Sequence, residues 1–304
     1  MRYEVKHASR NLRGHTFVIN FFFSSSRITQ WYKSLILKWV EQQNNLGTKQ
    51  NIMNYLTNIG IQHKNQKFNE WLAGLIDGDG CFHLTKKGYV SLEITMELRD
   101  RHCLFLIKDK FGGSVKIKQG QNWLRYRLHH KTGILNMVNA VNGLIRNPNR
   151  ILQLSRVCDK YNIILKYPEN LTYGNGWLSG FIDSDGSIYL NITSVQIFIT
   201  ASQKNKLLLD PLVNLYGGTI YTLSKTQAFK WTVYKKSEVL SLLEYFRANP
   251  LKSKKMVRIK LIPDIYNCMQ KSQHRKYEET KWNSLINKWN NYGGSRENNS
   301  KKNW

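Results

Sequence analysis

The chain has 304 residues, room for two modest domains or for one domain built from two related halves. It carries 46 Lys and Arg against 20 Asp and Glu, a formal net charge of +26, and 41% of it is hydrophobic, including 9 Trp, 16 Tyr and 12 Phe. A charge of this size concentrates polyanions and speeds their encounter, which points to nucleic acid and away from neutral metabolites. The apolar content excludes a disordered basic tail.

Residues 1–64 read as a basic extension. Before Glu41 the only acid is Glu4, while Arg2, Lys6, Arg10, Arg13, Arg27, Lys33 and Lys38 are basic and Ser24, Ser25 and Ser26 sit among them. An acid-poor start bearing Arg and Ser has the composition of an organellar transit peptide, with an ordinary basic extension as the alternative. Asn, Lys, Ile and Tyr are abundant, as in an AT-rich organellar gene, so an organelle is expected, the mitochondrion ahead of the chloroplast. The apolar stretch near 17–23 is about a third of the ~20 residues a membrane span needs, so no membrane is expected as a partner. Ile28, Trp31, Leu35, Ile36 and Trp39 recur at helical spacing and predict an amphipathic docking helix. The Asn-rich stretch around 42–50 predicts a linker.

Compared with itself, the chain repeats. Trp71-Leu72-Ala73-Gly74-Leu75-Ile76-Asp77-Gly78-Asp79-Gly80 returns 106 residues later as Trp177-Leu178-Ser179-Gly180-Phe181-Ile182-Asp183-Ser184-Asp185-Gly186. Phe111-Gly112-Gly113 returns as Tyr216-Gly217-Gly218, and Asn147-Pro148 matches Ser253-Lys254 at nearly the same offset. Similar decapeptides in register with their surroundings mark a tandem duplication, one half over 65–170 and the other over 171–267. Each half reads as an apolar helix ending at Asp-x-Asp-Gly, two strands, a helix running to the Gly-Gly turn, a hairpin and two closing helices. The expected fold is therefore α+β: two pseudo-symmetric αββαββα(α) halves, each a four-stranded antiparallel sheet backed by helices.

Alternation along the strands predicts which face is buried. Val90, Leu92, Ile94 and Met96 alternate with Tyr89, Ser91, Glu93 and Thr95, and Val195, Ile197, Ile199 and Ala201 with Gln196, Phe198, Thr200 and Ser202. In the hairpins Leu124, Tyr126 and Leu128 lie beneath Arg125, Arg127 and His129, with Lys116 and Lys118 sharing a face on the neighbouring strand. Phe229, Trp231 and Val233 face in while Lys230, Thr232 and Tyr234 face out. The first strand of each half adds Cys81, His83 and Thr85, or Ser187, Tyr189 and Asn191, to the outer face.

A solvated sheet face is one reading of this polar surface. The net charge and the Arg-x-Arg-x-His row favour the other, readout of double-stranded DNA in the major groove, where Arg and Lys meet guanine edges and Gln and Asn meet adenine. A strand of ~9 residues at ~3.3 Å each spans ~30 Å, about nine base steps at ~3.4 Å. Two different faces then predict a long, non-palindromic site.

The two decapeptides, each followed by correctly ordered strands, resemble the signature of LAGLIDADG homing endonucleases in their single-chain, two-motif form, and the resemblance covers about 65–267. It implies that the signature helices pack side by side at the centre of the molecule, where the small pairs Ala73-Gly74 and Ser179-Gly180 allow close backbone approach. By motif position it implies that Asp79 and Asp185 bind a divalent cation near two scissile phosphates, Mg²⁺ or another such as Mn²⁺, with the backbone carbonyls of Gly78 and Ser184 completing the inner shell. Asp77 and Asp183 are expected to serve the helix ends and turn. The resemblance also assigns catalytic roles around one phosphate to Gln203, at the end of the second strand, and Lys254, before the final helix. The first half has Leu98 and Asn149 at the corresponding places, with Arg150 or Arg99 as candidate substitutes, so unequal cleavage of the two strands is expected.

Beyond the repeats, residues 268–304 hold a second helical stripe, Trp282, Leu285, Ile286 and Trp289, and read as disordered after Gly293. Cys81, Cys103, Cys158 and Cys268 lack metal-ligand spacing and are expected to be reduced. The leading reading is a site-specific, metal-dependent endonuclease that makes a staggered double-strand cut and promotes intron homing. The alternative is a maturase that binds group I intron RNA and assists its splicing, with or without nuclease activity, the basic extensions adding backbone contacts. A nucleic-acid-binding scaffold, for example on an organellar ribosome, is a third reading, but it has no use for paired metal ligands. A pseudo-two-fold single chain has no need of a second copy, so a monomer is expected.

Overall fold

The first decapeptide closes a long helix. In a computed structural model, which describes residues 46–117, 121–224, 226–271 and 276–292, α1 runs from Leu46 to Asp79. The Asn-rich stretch expected as a linker is thus already helical from Leu46 onward, with no proline to interrupt the turns. Tyr55–Trp304 form one compact unit; of the other, Met1–Asn54, only the start of α1 is described. The stripe from Ile28 to Trp39, the transit-like segment, Lys118 and the tail after Gly293 lie outside the described residues.

From Asp79 the chain enters β1 (Gly80–Leu84), β2 (Val90–Glu97), a 3-10 turn (Leu98–Asp100), α2 (Arg101–Phe111), β3 (Ser114–Ile117), β4 (Trp123–Leu128), α3 (Lys131–Val141) and α4 (Pro148–Lys160). The second half repeats this order with α5 (Trp177–Asp185), β5 (Gly186–Asn191), β6 (Gln196–Gln203), α6 (Asp210–Tyr216), β7 (Thr219–Leu223), β8 (Ala228–Val233), α7 (Lys236–Ala248) and α8 (Lys255–Lys271), followed by α9 (Lys276–Asn290). Each half builds its own antiparallel sheet, ordered β1-β2-β4-β3 and β5-β6-β8-β7. This is the α+β duplication expected from the repeat.

Register is held by the buried face, because a slip of one residue would turn every apolar side chain to water. Leu92, Ile94, Tyr126 and Leu128 are fully buried, as are Ile197, Ile199, Trp231 and Val233. Each fully buried Leu or Ile contributes roughly 1.5–3 kcal/mol. Helices cover these faces with apolar residues at three- and four-residue spacing: Leu104, Ile107 and Phe111 on α2, and Ile134, Met137 and Val138 on α3.

The repeated Gly-Gly turns have a steric cause. Gly112, Gly113, Gly217 and Gly218 have φ of 78°, 88°, 76° and 82°, and a Cβ on Gly113 or Gly218 would lie 2.6 Å from the carbonyl oxygen of Arg127 or Thr232. Tyr126 Oη donates to Gly112 O (3.0 Å) and Trp231 Nε1 to Gly217 O (2.8 Å), so two different side chains perform one job in the two halves.

The C-terminal stripe docks as expected. Leu285 and Trp289 are buried, Trp282 packs on the core, and Arg258 of α8 lies 5.1 Å from the Trp289 ring centroid and 3.8 Å from that of Tyr292. All four cysteines are free thiols.

Candidate active site

The two signature segments, Trp71–Asp79 of α1 and α5, touch backbone to backbone. A Cβ on Gly74 would sit 2.0 Å from Trp177 O and one on Gly180 only 1.7 Å from Trp71 O. Further along, a Cβ on Gly78 would meet Ser184 Oγ at 2.1 Å and Asp185 Oδ2 at 2.8 Å. Contacts that advance together in this way make the helices parallel and bring their C-terminal ends, with Asp79 and Asp185, to one place.

The inner aspartates lock this arrangement. Asp77 accepts from the Arg146 and Asn147 amides (2.8 and 3.0 Å) and from the indole Nε1 of Trp177 in the opposite half (2.7 Å). Asp183 accepts from the Lys252 and Ser253 amides (2.8 and 3.2 Å), Ser253 Oγ (2.5 Å) and Trp71 Nε1 of the first half (2.8 Å). The expectation that these two serve helix ends is therefore too narrow: each ties the loop before its own final helix to a tryptophan from the other half. Burial nevertheless pushes both carboxyls up, Asp77 to about 7, the hydrogen bonds opposing the shift.

Asp79 and Asp185 are placed differently. Burial raises Asp79 to about 7, with the charge of Asp185 adding to the rise, and raises Asp185 to about 6. Lys255 and Arg150 partly offset both shifts. Lys255 Nζ donates to the carbonyls of Ile182 and Asp183 (2.9 Å each) and Ser184 (3.2 Å), neutralising the C-terminal end of α5. Arg150 Nη2 donates to Gly78 O (3.3 Å). The two carbonyls that the resemblance names as ligands, Gly78 O and Ser184 O, therefore each face a cationic side chain.

Two positions differ from the sequence expectation. Lys254 is exposed, and its amide donates to the buried Asp100 (2.7 Å); Lys255 is the cation facing the carboxylates. Ser253 Oγ accepts from the Lys255 amide (3.3 Å), and this cap sets the phase of α8. Gln203 Nε2 donates to Asp185 Oδ2 (2.6 Å). Its partner in the first half is Met96 rather than Leu98, because Gly80 faces Ile94 whereas Gly186 faces Ala201, so the second hairpin is one residue longer. Met96 is 3% exposed and has no polar group to offer Asp79. Of the candidate substitutes, Arg150 reaches the site, while Arg99 pairs with Glu97 and donates to Tyr292 Oη (3.0 Å).

The outer faces assemble in rows. The first sheet presents Thr95–Arg125–Lys116, then Cys81–Glu93–Arg127–Ser114, then His83–Ser91. The second presents Ser202–Lys230–Tyr221, then Ser187–Thr200–Thr232–Thr219, then Tyr189–Phe198, with Asn191–Gln196 beyond. Thr85, Tyr89 and His129 are exposed at the margin of the first sheet, and Tyr234 continues the aromatic row of the second. Three residues expected on these faces do not reach the surface: Ser91, Thr200 and Thr232 are 7%, 1% and 6% exposed. They are short side chains among longer neighbours, and Thr200 Oγ1 turns into the sheet to donate to Ser187 O (3.4 Å).

The LAGLIDADG endonuclease family matches residues 72–161 and 178–266, and the chain belongs to that family. It is 38% identical over 300 residues to "Intron-encoded RNA maturase bI4" of Saccharomyces cerevisiae, a match covering 90% of this chain and 47% of that protein, so the chain spans about half the length of this relative. It is 38% identical over 237 residues to "Intron-encoded DNA endonuclease ai2a" of Dictyostelium discoideum, covering 75% of this chain and 76% of that one. Among solved structures, the LAGLIDADG meganuclease I-AabMI bound to uncleaved DNA superposes with a TM-score of 0.57 at 20% identity, over 71% of this chain and 97% of the other. At that identity the likeness is one of fold.

Proposed function

We propose that this chain is a site-specific, metal-dependent DNA endonuclease that recognises a long non-palindromic duplex site, makes a staggered double-strand cut and so promotes intron homing. The observation that carries this reading is the convergence of Asp79 and Asp185 at the ends of two helices in backbone contact, each one residue before the first strand of a sheet. A protein that only binds nucleic acid gains nothing from two adjacent carboxylates on a chain of net charge +26.

The donor set fits a divalent cation. Carboxylate and carbonyl oxygens are the hard ligands that Mg²⁺ and Mn²⁺ take, and a dication would relieve the repulsion that helps raise Asp79. Among the described residues no three His, Cys, Asp or Glu cluster, so Asp79, Asp185, Gly78 O and Ser184 O would hold it together with phosphate and water. A bound cation supplies Lewis acidity and acidifies water. Gln203 holds the Asp185 carboxylate in one orientation. Lys255 and Arg150 stand ready to offset negative charge growing on a phosphate.

A maturase acting on group I intron RNA is the second reading, supported by the Saccharomyces relative, whose match extends over 90% of this chain. In either case we place the protein in an organelle, the mitochondrion first, and expect a monomer. The test is cleavage selection from a randomised duplex library with Mg²⁺, with Asp79→Asn/Asp185→Asn as control. Discrete ends from the native chain and none from the variant are expected; no ends, with tight binding to structured intron RNA over duplex, would move the protein to the maturase class.

A further inference from the structure

The two sheets present different chemistry to the duplex proposed above. On the first, the Glu93 carboxylate lies 3.6 Å from Arg125 Nη1 and 3.3 Å from Arg127 Nε. Arg127 faces Glu93 directly across the sheet, and Arg125 sits one row nearer Asp79 beside Lys116. One acid between two guanidinium groups holds long side chains that would otherwise lose rotamer freedom on binding. The two arginines stay 45% and 57% exposed, and a guanidinium has five N–H donors, so contact with one carboxylate leaves donors for a base edge.

The second sheet has no counterpart to this cluster. The row matching Glu93–Arg127 is Thr200–Thr232, both buried. Next to it Tyr189 and Phe198 stack with centroids 4.7 Å apart and planes at 10°, Tyr234 lies 6.1 Å from Phe198, and Lys230 Nζ is 5.1 Å from the Tyr189 centroid. Tyr189 and Phe198 each cover one face of the other and, with Tyr234, make one apolar patch on the outer side of the sheet. Such a patch suits apolar contact in a groove.

We propose that the first sheet reads a guanine-bearing half-site through Arg125, Arg127 and Lys116, positioned by Glu93, and that the second reads a thymine-rich half-site through apolar contact of Tyr189, Phe198 and Tyr234 with C5-methyl groups. The chemistry is that of the major groove, where Arg and Lys bond guanine O6 and N7 and the thymine methyl is the apolar feature. The proposal rests on the reading of this chain as a binder of duplex DNA. It makes the target polar in composition, G·C-bearing on one side of the cut and A·T-rich on the other.

The test is selection of bound duplexes from a randomised library by the full-length Asp79→Asn/Asp185→Asn chain, so that binding is read without cutting. Guanines should be enriched in one half and thymines in the other. Replacing guanine by adenine in the first half should weaken binding about tenfold per contacted base. Replacing thymine by deoxyuridine in the second should weaken it about fourfold per contacted methyl, and the same replacement in the first half should do nothing. Arg125→Gln or Glu93→Gln should relax only the guanine half, and Tyr189→Ser only the thymine half, so each variant reports its own folding through the half it leaves intact. Two halves of like composition, indifference to deoxyuridine, or variants that relax both halves alike would overturn the proposal and leave duplex binding standing. No enriched duplex, with tighter binding of single-stranded RNA, would overturn the duplex reading itself.

Discussion

Four aspartates at the ends of the signature helices divide by what surrounds them. The Asp77 carboxylate accepts three N–H bonds and that of Asp183 three N–H bonds and one from a hydroxyl, while Asp79 and Asp185 face each other and two cations. The consequence for pH follows from linkage. Asp77 and Asp79 rise to about 7 and Asp185 to about 6, from an ordinary value of 3.8. Between about pH 4 and pH 7 the folded chain therefore holds protons that the unfolded chain has released, and the cation-free protein should lose stability as pH rises through that window. A cation needs Asp79 and Asp185 ionised, so its affinity should fall below about pH 7, with proton release on binding near pH 6 and almost none near pH 8.5. Calorimetry in buffers of different ionisation enthalpy measures this directly. Gln203 opposite Met96 predicts a second effect. The two DNA strands should be cut at unequal rates, and Gln203→Met should slow one strand on the order of tenfold while sparing the other; equal rates on end-labelled native substrate would contradict it. The pair Asp79 and Asp185, proposed as the metal ligands, was legible in the sequence because it falls at the end of a repeated motif. Lys255 and Met96 were not, because the first depends on the helix phase set by Ser253 and the second on one extra residue in a hairpin.

At the scale of elements, the helix pair is the part least able to change. Gly180→Ala would drive a methyl to 1.7 Å from the backbone oxygen of Trp71, where no side chain can yield, and should cost about 3 kcal/mol. Gly60→Ala, in α1 but with nothing within 4 Å, should instead stabilise by up to ~1 kcal/mol through helix propensity. Thermal denaturation of the two variants separates a packing effect from a backbone one. Trp71→Phe should cost about 1–3 kcal/mol by leaving Asp183 short of a donor from the other half. Strands and helices were readable from alternation and from the Gly-Gly turns. The exchange of tryptophans between halves was not, because both Trp71 and Trp177 read equally well as apolar core.

At the scale of the whole molecule, charge and symmetry act together. With 46 basic residues, duplex binding should follow counterion release, log Kd rising with log salt with a slope of about 5 or more if six or more phosphates are engaged. Titrations between about 50 and 200 mM salt check this. Duplication makes two sheets of one topology, while divergence has placed Glu93, Arg125 and Arg127 on one face and Tyr189, Phe198 and Tyr234 on the other. A symmetric frame with unlike faces is what the proposed reading of an asymmetric site by a single chain requires.

Periodicity and repetition are properties of neighbours along the chain, and they were enough to reveal the duplication, the α+β order of each half, the buried strand faces and the position of the two outer aspartates. It took the folded arrangement to show which lysine faces the carboxylates, that Met96 stands where Gln203 does, that Ser91, Thr200 and Thr232 are sunk in their sheets, and that Trp71 and Trp177 each bond an aspartate of the other half. These depend on helix phase, on hairpin length and on contacts between residues 100 and 112 positions apart, and no local pattern carries them.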